Sequence, residues 1–162
     1  MSTSLSTTSD RSRSGAFFVL EGTDGVGKGT TLTHLLALLE EATGQEIVRV
    51  REPGGTEKAE AIRTVIKSDW PEAERAGTSD LFLFSASRTY LLDRVVRPAL
   101  QEGRVVLADR FALSTYAYQG GGQGVPFEQI DRVMEIAVGD TWPDVTALLT
   151  LDRQSWLERF GG

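Results

Sequence analysis

The chain contains no cysteine, which excludes both disulfides and thiolate metal sites and agrees with a reducing cytoplasm as its compartment. It has a single histidine, His34, and that residue falls inside an amphipathic helical stretch, an incidental position rather than a catalytic one. No apolar run approaches the ~20 residues of a membrane span. An excess of basic charge is missing too. The formal net charge is −6, which argues against a nucleic-acid polymer as partner, since a polyanion is repelled overall. Small phosphates remain open to an acidic protein wherever arginines converge locally. The first 14 residues, MSTSLSTTSDRSRS, lack an apolar segment and so make no secretory signal. A solvated, disordered Ser/Thr-rich tail over residues 1–15 is expected, because nothing there offsets the entropy of ordering. The alternative is an organelle transit peptide, given its arginine and serine with little acid. What remains is ordinary globular composition, 40% apolar and 25% charged over 162 residues, enough for one α/β domain with a real core.

The informative stretch is FFVLEGTDGVGKGTT, residues 17–31. An apolar run, Phe17 to Leu20, meets a glycine-rich turn from Gly22 to Gly27 and then Lys28. Leu32, Leu35, Leu36 and Leu39 follow at helical spacing. Strand, glycine loop, lysine and helix in that order make a phosphate cradle, with backbone N–H groups and the positive helix end turned to an anion. Gly22, Thr23, Asp24, Gly25, Val26, Gly27, Lys28, Gly29 and Thr30 are the expected nucleotide-binding residues. The spacing Gly22-x-x-x-x-Gly27-Lys28 fits a P-loop up to its last position. There Gly29 replaces the usual hydroxyl residue, and Thr30 follows one position later. The competing reading is a strand-to-helix turn that merely favours glycine.

Further along, Ile47–Val50 reads as a second strand running into Arg51-Glu52-Pro53-Gly54-Gly55-Thr56, a turn where ligands sit in open parallel sheets. A helix over 57–67 is expected to carry Ile62, Val65 and Ile66 inward, beside Arg63. Residues 68–79 read as loop. A long helix from Asp80 carries Leu81, Phe84, Leu91, Leu92 and Val95 until Pro98 kinks or restarts it. Val105–Ala108 is an all-apolar strand, as when both faces are covered, and it ends in Asp109-Arg110. A short helix over 111–118, a mobile loop over Gly120–Gly124, a helix started by Pro126 and reaching Val138, a strand over 145–151 and a helix over 153–160 complete the pattern. The fold class expected is therefore α/β, a P-loop NTPase-type doubly wound parallel sheet with helices on both faces.

Three motifs narrow this further. LEGTDGVGKGTT at 20–31, REPGGT at 51–56 with Arg63 following, and DRFALSTYAYQGGG at 109–122, joined by LFLFSASR at 81–88, resemble bacterial thymidylate kinases over residues 16–160. The resemblance implies ATP-dependent phosphorylation of dTMP with Mg²⁺. It implies that Phe84 stacks on thymine, that Arg88 bonds a carbonyl of the base edge, that Thr115 and Gln119 touch the base, and that Tyr118 crowds the sugar. Arg51, Arg63 and Arg110 are implied for the acceptor phosphate, Asp24 for the sugar hydroxyl or a metal-bound water, and Asp109 with Thr30 for Mg²⁺. Lys28, Arg110, Asp24 and Asp109 are the implied catalytic set. The chemistry independently calls for such residues, since two anions must be held in line and a guanidinium fork suits phosphate better than a point charge. Blander readings stand beside each: Phe84 as helix core, Arg51, Arg63 and Arg88 as surface charge, Asp109 as a helix cap.

Two departures shape the remaining expectations. Gly29 removes the usual magnesium hydroxyl. The sequence reads Phe160-Gly161-Gly162 where the family continues into an arginine-bearing lid, a fifth strand and a closing helix, so the domain over 16–162 is expected to be C-terminally incomplete, with four strands visible and the fifth missing. On that reading the 145–151 strand is an exposed apolar edge, and the chain binds dTMP better than it turns it over. Nothing in the sequence brings Arg153 or Arg159 to the phosphates. The alternatives are a kinase for another (deoxy)nucleotide and a catalytically silent nucleotide-binding module. Relatives pair as homodimers, and the apolar side of the 80–97 helix is the expected interface.

Overall fold

The computed structural model describes residues 14–69, 71 and 76–160. Four strands, β1 (Ala16–Gly22), β2 (Val48–Arg51), β3 (Val105–Asp109) and β4 (Val145–Leu149), form one sheet in the order β2-β3-β1-β4. Every pairing is parallel, so all four strands end at the same edge of the sheet.

Strand periodicity explains how both faces are buried. Successive side chains point to opposite faces. Phe17 and Val19 of β1, with Val106 and Ala108 of β3, join one apolar cluster. Leu20 of β1, with Val105 and Leu107 of β3, joins the other. The second cluster is closed by α1 (Lys28–Thr43), whose Leu32 is buried and whose Leu35, Leu36 and Leu39 are partly so. The first is closed by α3 (Gly77–Leu91), α4 (Arg97–Gln101) and α6 (Phe127–Val138), which supply Leu81, Leu91, Leu100, Ile130 and Met134. Helix α2 (Glu57–Lys67) packs on α3 rather than on the sheet. The short α5 (Ala112–Thr115) and the terminal α7 (Arg153–Phe160) complete the order.

Several local expectations change. Of the proposed tail, residues 1–13 lie outside the described residues, but Gly15 already belongs to the fold. Its N–H donates to the Leu100 carbonyl at 3.0 Å, and a Cβ there would sit 2.3 Å from the Arg104 oxygen. The long helix begins at Gly77, not Asp80. Pro98 is accommodated by a π-helical turn over Leu92–Val96 just before it; proline has no N–H to offer and its ring crowds the carbonyl four residues back, so the wider turn relieves both. A second π-helical turn, Tyr116–Gly122, carries Gly120–Gly122 where a mobile loop was expected. Gly120 is buried there, and a Cβ would lie 2.3 Å from a Phe127 ring carbon. Val65 does not point into the core. It is 45% exposed and, with Ile66, lines a cleft; the buried residue of α2 is Ala59. The 80–97 stripe is spent internally, because Leu81, Leu91, Leu92 and Val96 are all in the core. β4 forms one edge of the described sheet, with Val145 and Leu148 more than half exposed.

Phe17 is fully buried, and its ring meets Phe111 edge-on at 5.2 Å. Phe17→Ala is expected to cost about 3–5 kcal/mol, read as a lowered urea midpoint.

Candidate active site

At the carboxyl ends of the strands lies a cleft of about 860 Å³. Three loops build it, and each is shaped by its sequence. The first follows β1. Gly22, Gly25 and Gly27 have φ of 150°, 78° and 101°, which L side chains rarely adopt. At Gly22 a Cβ would also lie 2.7 Å from the Leu149 oxygen. Thr23, Asp24, Gly29 and Thr30 are exposed, and Val26 is half-buried. Lys28 is 9% exposed and donates through Nζ to the Gly22 and Thr23 carbonyls at 2.8 Å each. Burial, and after it the Arg110 charge, pull its ammonium below the ordinary lysine value, against Asp109, Asp24 and Glu21. His34 is exposed on α1.

The second loop follows β2 and is pinned from several sides. The Glu52–Pro53 peptide is cis. Arg51 and Arg63 both donate to the Pro53 carbonyl at 2.8 Å. Arg51 also forks onto Glu60 at 2.9 and 3.0 Å, and Glu60 accepts the Gly55 N–H at 2.7 Å. The Gly54 N–H donates to Ser87 Oγ on α3. Thr56 caps α2 by accepting from the Ala59 N–H.

The third loop follows β3. Arg110 stands between Asp24, 2.6 Å from its Nη2, and Ser114, 3.1 Å from its Nη1, with its guanidinium over the Tyr118 ring. Burial works against its charge, but Tyr118 and Asp24 outweigh that and hold the guanidinium above its ordinary value. Asp109 is not a helix cap. Its Oδ1 is buried with no hydrogen-bond partner. The amides opening α5 are instead taken by Glu21 of β1, which accepts from Phe111 N at 2.8 Å and Ser114 N at 3.1 Å.

Most of the expected substrate residues converge here: Asp24, Lys28, Arg51, Arg63 and Phe84 line the cleft, as do Arg88, Asp109, Arg110, Thr115, Tyr118 and Gln119. Thr30 is not among the lining residues. Phe84 is partly buried and belongs to neither core cluster, so the helix-core reading fails. Arg88 is no surface residue either. It is 1% exposed and donates from Nε and Nη2 to the Glu52 carboxylate at 2.7–3.1 Å, from Nη2 to Thr115 Oγ1 at 3.0 Å, and from Nη1 to the Met134 sulfur at 2.9 Å. Of arginine's five N–H donors, one on Nη1 remains for a ligand. Phe111 lies against the same guanidinium at 5.1 Å. Burial pushes the Glu52 carboxyl up, opposed by the charge and hydrogen bonds of Arg88. Gln119 is buried and donates to Gln123 Oε1 at 3.2 Å. Tyr118 is 44% exposed. The side chains of Arg153 and Arg159 lie outside the described residues.

Sequence reasoning missed Glu21, Glu52, Glu60, Ser87 and Ser114, the residues that hold the cationic groups and loops in place. A faint signal existed for two of them: Glu21 is an acid inside an apolar strand, and Glu52 sits within the REPGGT turn.

Two outcomes follow from these contacts. Glu52→Gln leaves the Arg88 charge buried without its counterion and is expected to cost about 3–5 kcal/mol, read by urea denaturation. Glu60 is held below the ordinary glutamate value of 4.5, first by the Gly55 N–H and then by Arg51. A lowered folded value stabilises above the unfolded value and is lost as pH falls through the folded one. The acid limb of a pH–Tm curve is therefore expected to be shallower in Glu60→Gln than in the unmodified chain.

A family model described as thymidylate kinase matches residues 20–162. A thymidylate kinase of Idiomarina loihiensis is 40% identical over 146 residues, 90% of this chain and 70% of that relative. One from Pseudomonas putida is 44% identical over 146 residues, 90% of this chain and 69% of its own length. A crystal structure of thymidylate kinase from Ehrlichia chaffeensis superimposes with a TM-score of 0.77 at 34% identity, covering 90% of this chain and 81% of that one. With Lys28 of the glycine turn sharing one cleft with Arg51, Arg63 and Arg110, and with likeness of this extent, the chain belongs to the thymidylate kinase family.

Proposed function

We propose that this chain transfers the γ-phosphoryl group of ATP to dTMP, giving dTDP. The observation that carries the reading is the meeting, in one cleft, of Lys28 with Arg51 at the end of β2, Arg63 of α2 and Arg110 of the turn after β3. Two polyanions have to approach each other, and an acidic protein that concentrates cations around one hollow lowers that repulsion. In this reading the amides from Gly22 to Gly29, with Thr30 and the start of α1, receive the phosphates of ATP. Lys28 follows the transferred group. Arg51, Arg63 and Arg110 hold the acceptor phosphate, and Asp24 orients Arg110 or meets the sugar hydroxyl. Phe84 stacks on the base, and Arg88, Thr115 and Gln119 face its edge, Arg88 through its one remaining Nη1 hydrogen. Tyr118 crowds the 2′ position of the sugar.

The acceptor brings its own nucleophile. A phosphate monoester with a second pKa of ~6 is largely dianionic at neutral pH, so no strong general base is needed, and the chain's work is positioning and charge neutralisation. Mg²⁺ fits the residues present. The unpartnered Asp109 Oδ1 is a hard oxygen donor of the kind Mg²⁺ takes. Asp109, with Thr30 through water, would hold it, and the ion supplies neutralisation of phosphate charge. No described helix is long and apolar enough to cross a membrane, and the reading places the chain in the cytoplasm.

A coupled ADP-release assay with ATP and dTMP tests the reading. Turnover is expected with dTMP above other nucleoside monophosphates, and Lys28→Ala or Arg110→Ala is expected to lower kcat/KM by about 10²–10³-fold. Nucleotide binding with no transfer at any enzyme concentration would instead identify a silent binding module. We also propose a homodimer, supported by Phe82 of α3, 58% exposed, and Ile136 of α6, 84% exposed, on helices that pack together. Sedimentation is expected to show twice the chain mass, reduced toward the monomer by Ile136→Glu.

A further inference from the structure

Arg110 has φ of 71°, the only positive value among the described non-glycine residues. For an L residue this conformation needs support from its surroundings, and the support comes from two consecutive residues of β1. The Arg110 N–H donates to the Leu20 carbonyl at 2.9 Å, and the Phe111 N–H donates to Glu21 Oε1 at 2.8 Å. The same carboxylate then reaches the Arg110 side chain through one hydroxyl. Ser114 Oγ donates to Glu21 Oε2 at 2.6 Å and accepts from Arg110 Nη1 at 3.1 Å. Glu21 is 2% exposed, and it makes no ion pair with Arg110 itself.

We propose that Glu21 and Ser114 are positioning residues: a buried relay, Glu21 to Ser114 to Arg110, that sets the guanidinium of Arg110 toward the acceptor phosphate. The direction of each hydrogen bond matters. An ionised carboxylate only accepts, so it turns the Ser114 proton toward itself and presents the serine lone pairs to Arg110. A glutamine amide at position 21 with its NH₂ on Ser114 would reverse that polarity and compete with Arg110 for the same oxygen. The relay also joins the strand that leads into the phosphate loop to the turn after β3, and Asp24 holds the other end of the guanidinium at 2.6 Å. Segment 21–24 therefore acts on Arg110 at both ends, directly through Asp24 at Nη2 and through Ser114 from Glu21 at Nη1. This inference rests on the proposed reading of Arg110 as an acceptor-phosphate group.

The test is a double-mutant cycle on the full chain, with dTMP affinity by calorimetry beside turnover. Ser114→Ala is expected to weaken dTMP binding or kcat/KM for dTMP by about 10–10²-fold, with ATP affinity unchanged, and Ser114→Thr, which keeps the hydroxyl, to restore most of it. In an Arg110→Ala background the further loss from Ser114→Ala is expected to fall below about 2-fold. Glu21→Gln is expected to behave as Ser114→Ala does; if it fails to fold, the serine cycle alone decides. Additive losses in the cycle, or equal loss of ATP and dTMP affinity, would overturn the relay. If the unmodified chain binds no dTMP at all, the acceptor reading itself falls. If dTMP binds and Arg110→Ala weakens it while Ser114→Ala does not, the relay alone falls.

Discussion

In the parallel ladder between β1 and β3, Leu20 stands beside Asp109, and that register makes one site out of two loops. Both strands run the same way, so the glycine turn that begins at Gly22 and the turn that holds Arg110 leave the sheet together. A one-residue slip would move every side chain of the strand to the other face, putting Phe17 and Val19 among the residues now facing α1. Burial on both faces forbids that, because each cluster is already filled. The hydrophobic core therefore fixes, at a distance, where the charged groups meet. β2 adds the third loop by the same rule, with Arg51 beside Asp109 in its own ladder.

The second constraint is electrostatic. The chain is acidic overall, yet its cleft gathers Lys28, Arg51, Arg63, Arg88 and Arg110. Each of these cations has an oxygen partner within the protein: loop carbonyls for Lys28, Pro53 and Glu60 for Arg51, the Pro53 carbonyl for Arg63, Glu52 for Arg88 and Asp24 for Arg110. The partners differ in burial, which separates their roles. Glu52 and Arg88 are both sealed from solvent, where a pair is expensive to desolvate and costly to break. They fix the REPGGT turn against α3 and hold Phe111 and Thr115 in place. Asp24 is 91% exposed, and a contact of that kind contributes little to stability; it orients a guanidinium without committing it. Rigid pairs lie beneath the cleft and exchangeable ones at its surface.

Phe111 shows how packing and charge share a residue. Its ring meets Phe17 in the core on one side and the Arg88 guanidinium on the other, and its N–H is held by Glu21. The same residue follows the strained Arg110 in sequence. A core aromatic thus anchors the turn that carries the cleft's central cation, which is why the Asp-Arg-Phe segment behaves as one unit rather than as a charged loop appended to a strand.

Features that depend on neighbours along the chain could be read before any packing was known. A continuous apolar run in β1 and period 3.6 in α1, glycines at the positions where φ is positive, and a proline at the start of α6 pointed to a parallel α/β sheet with a phosphate loop, and the bounds of α2 and α7 were legible from the pattern alone. That Lys28, Arg110 and Phe84 would line one cleft was also legible, through the contiguous motifs that carry the family resemblance. What lies across space emerged from the folded chain. The Glu52–Arg88 pair joins residues 36 apart and the Glu21–Ser114 bond residues 93 apart, and a carboxylate in a strand or a turn looks the same in sequence whether it faces solvent or a buried guanidinium. Where the backbone widens into a π turn at Tyr116–Gly122 was likewise settled by packing, with Phe127 pressed against Gly120; the π turn at Leu92–Val96 answers a local feature instead, the N–H that Pro98 lacks. Local chemistry chose the elements, and close packing between distant ones chose their partners.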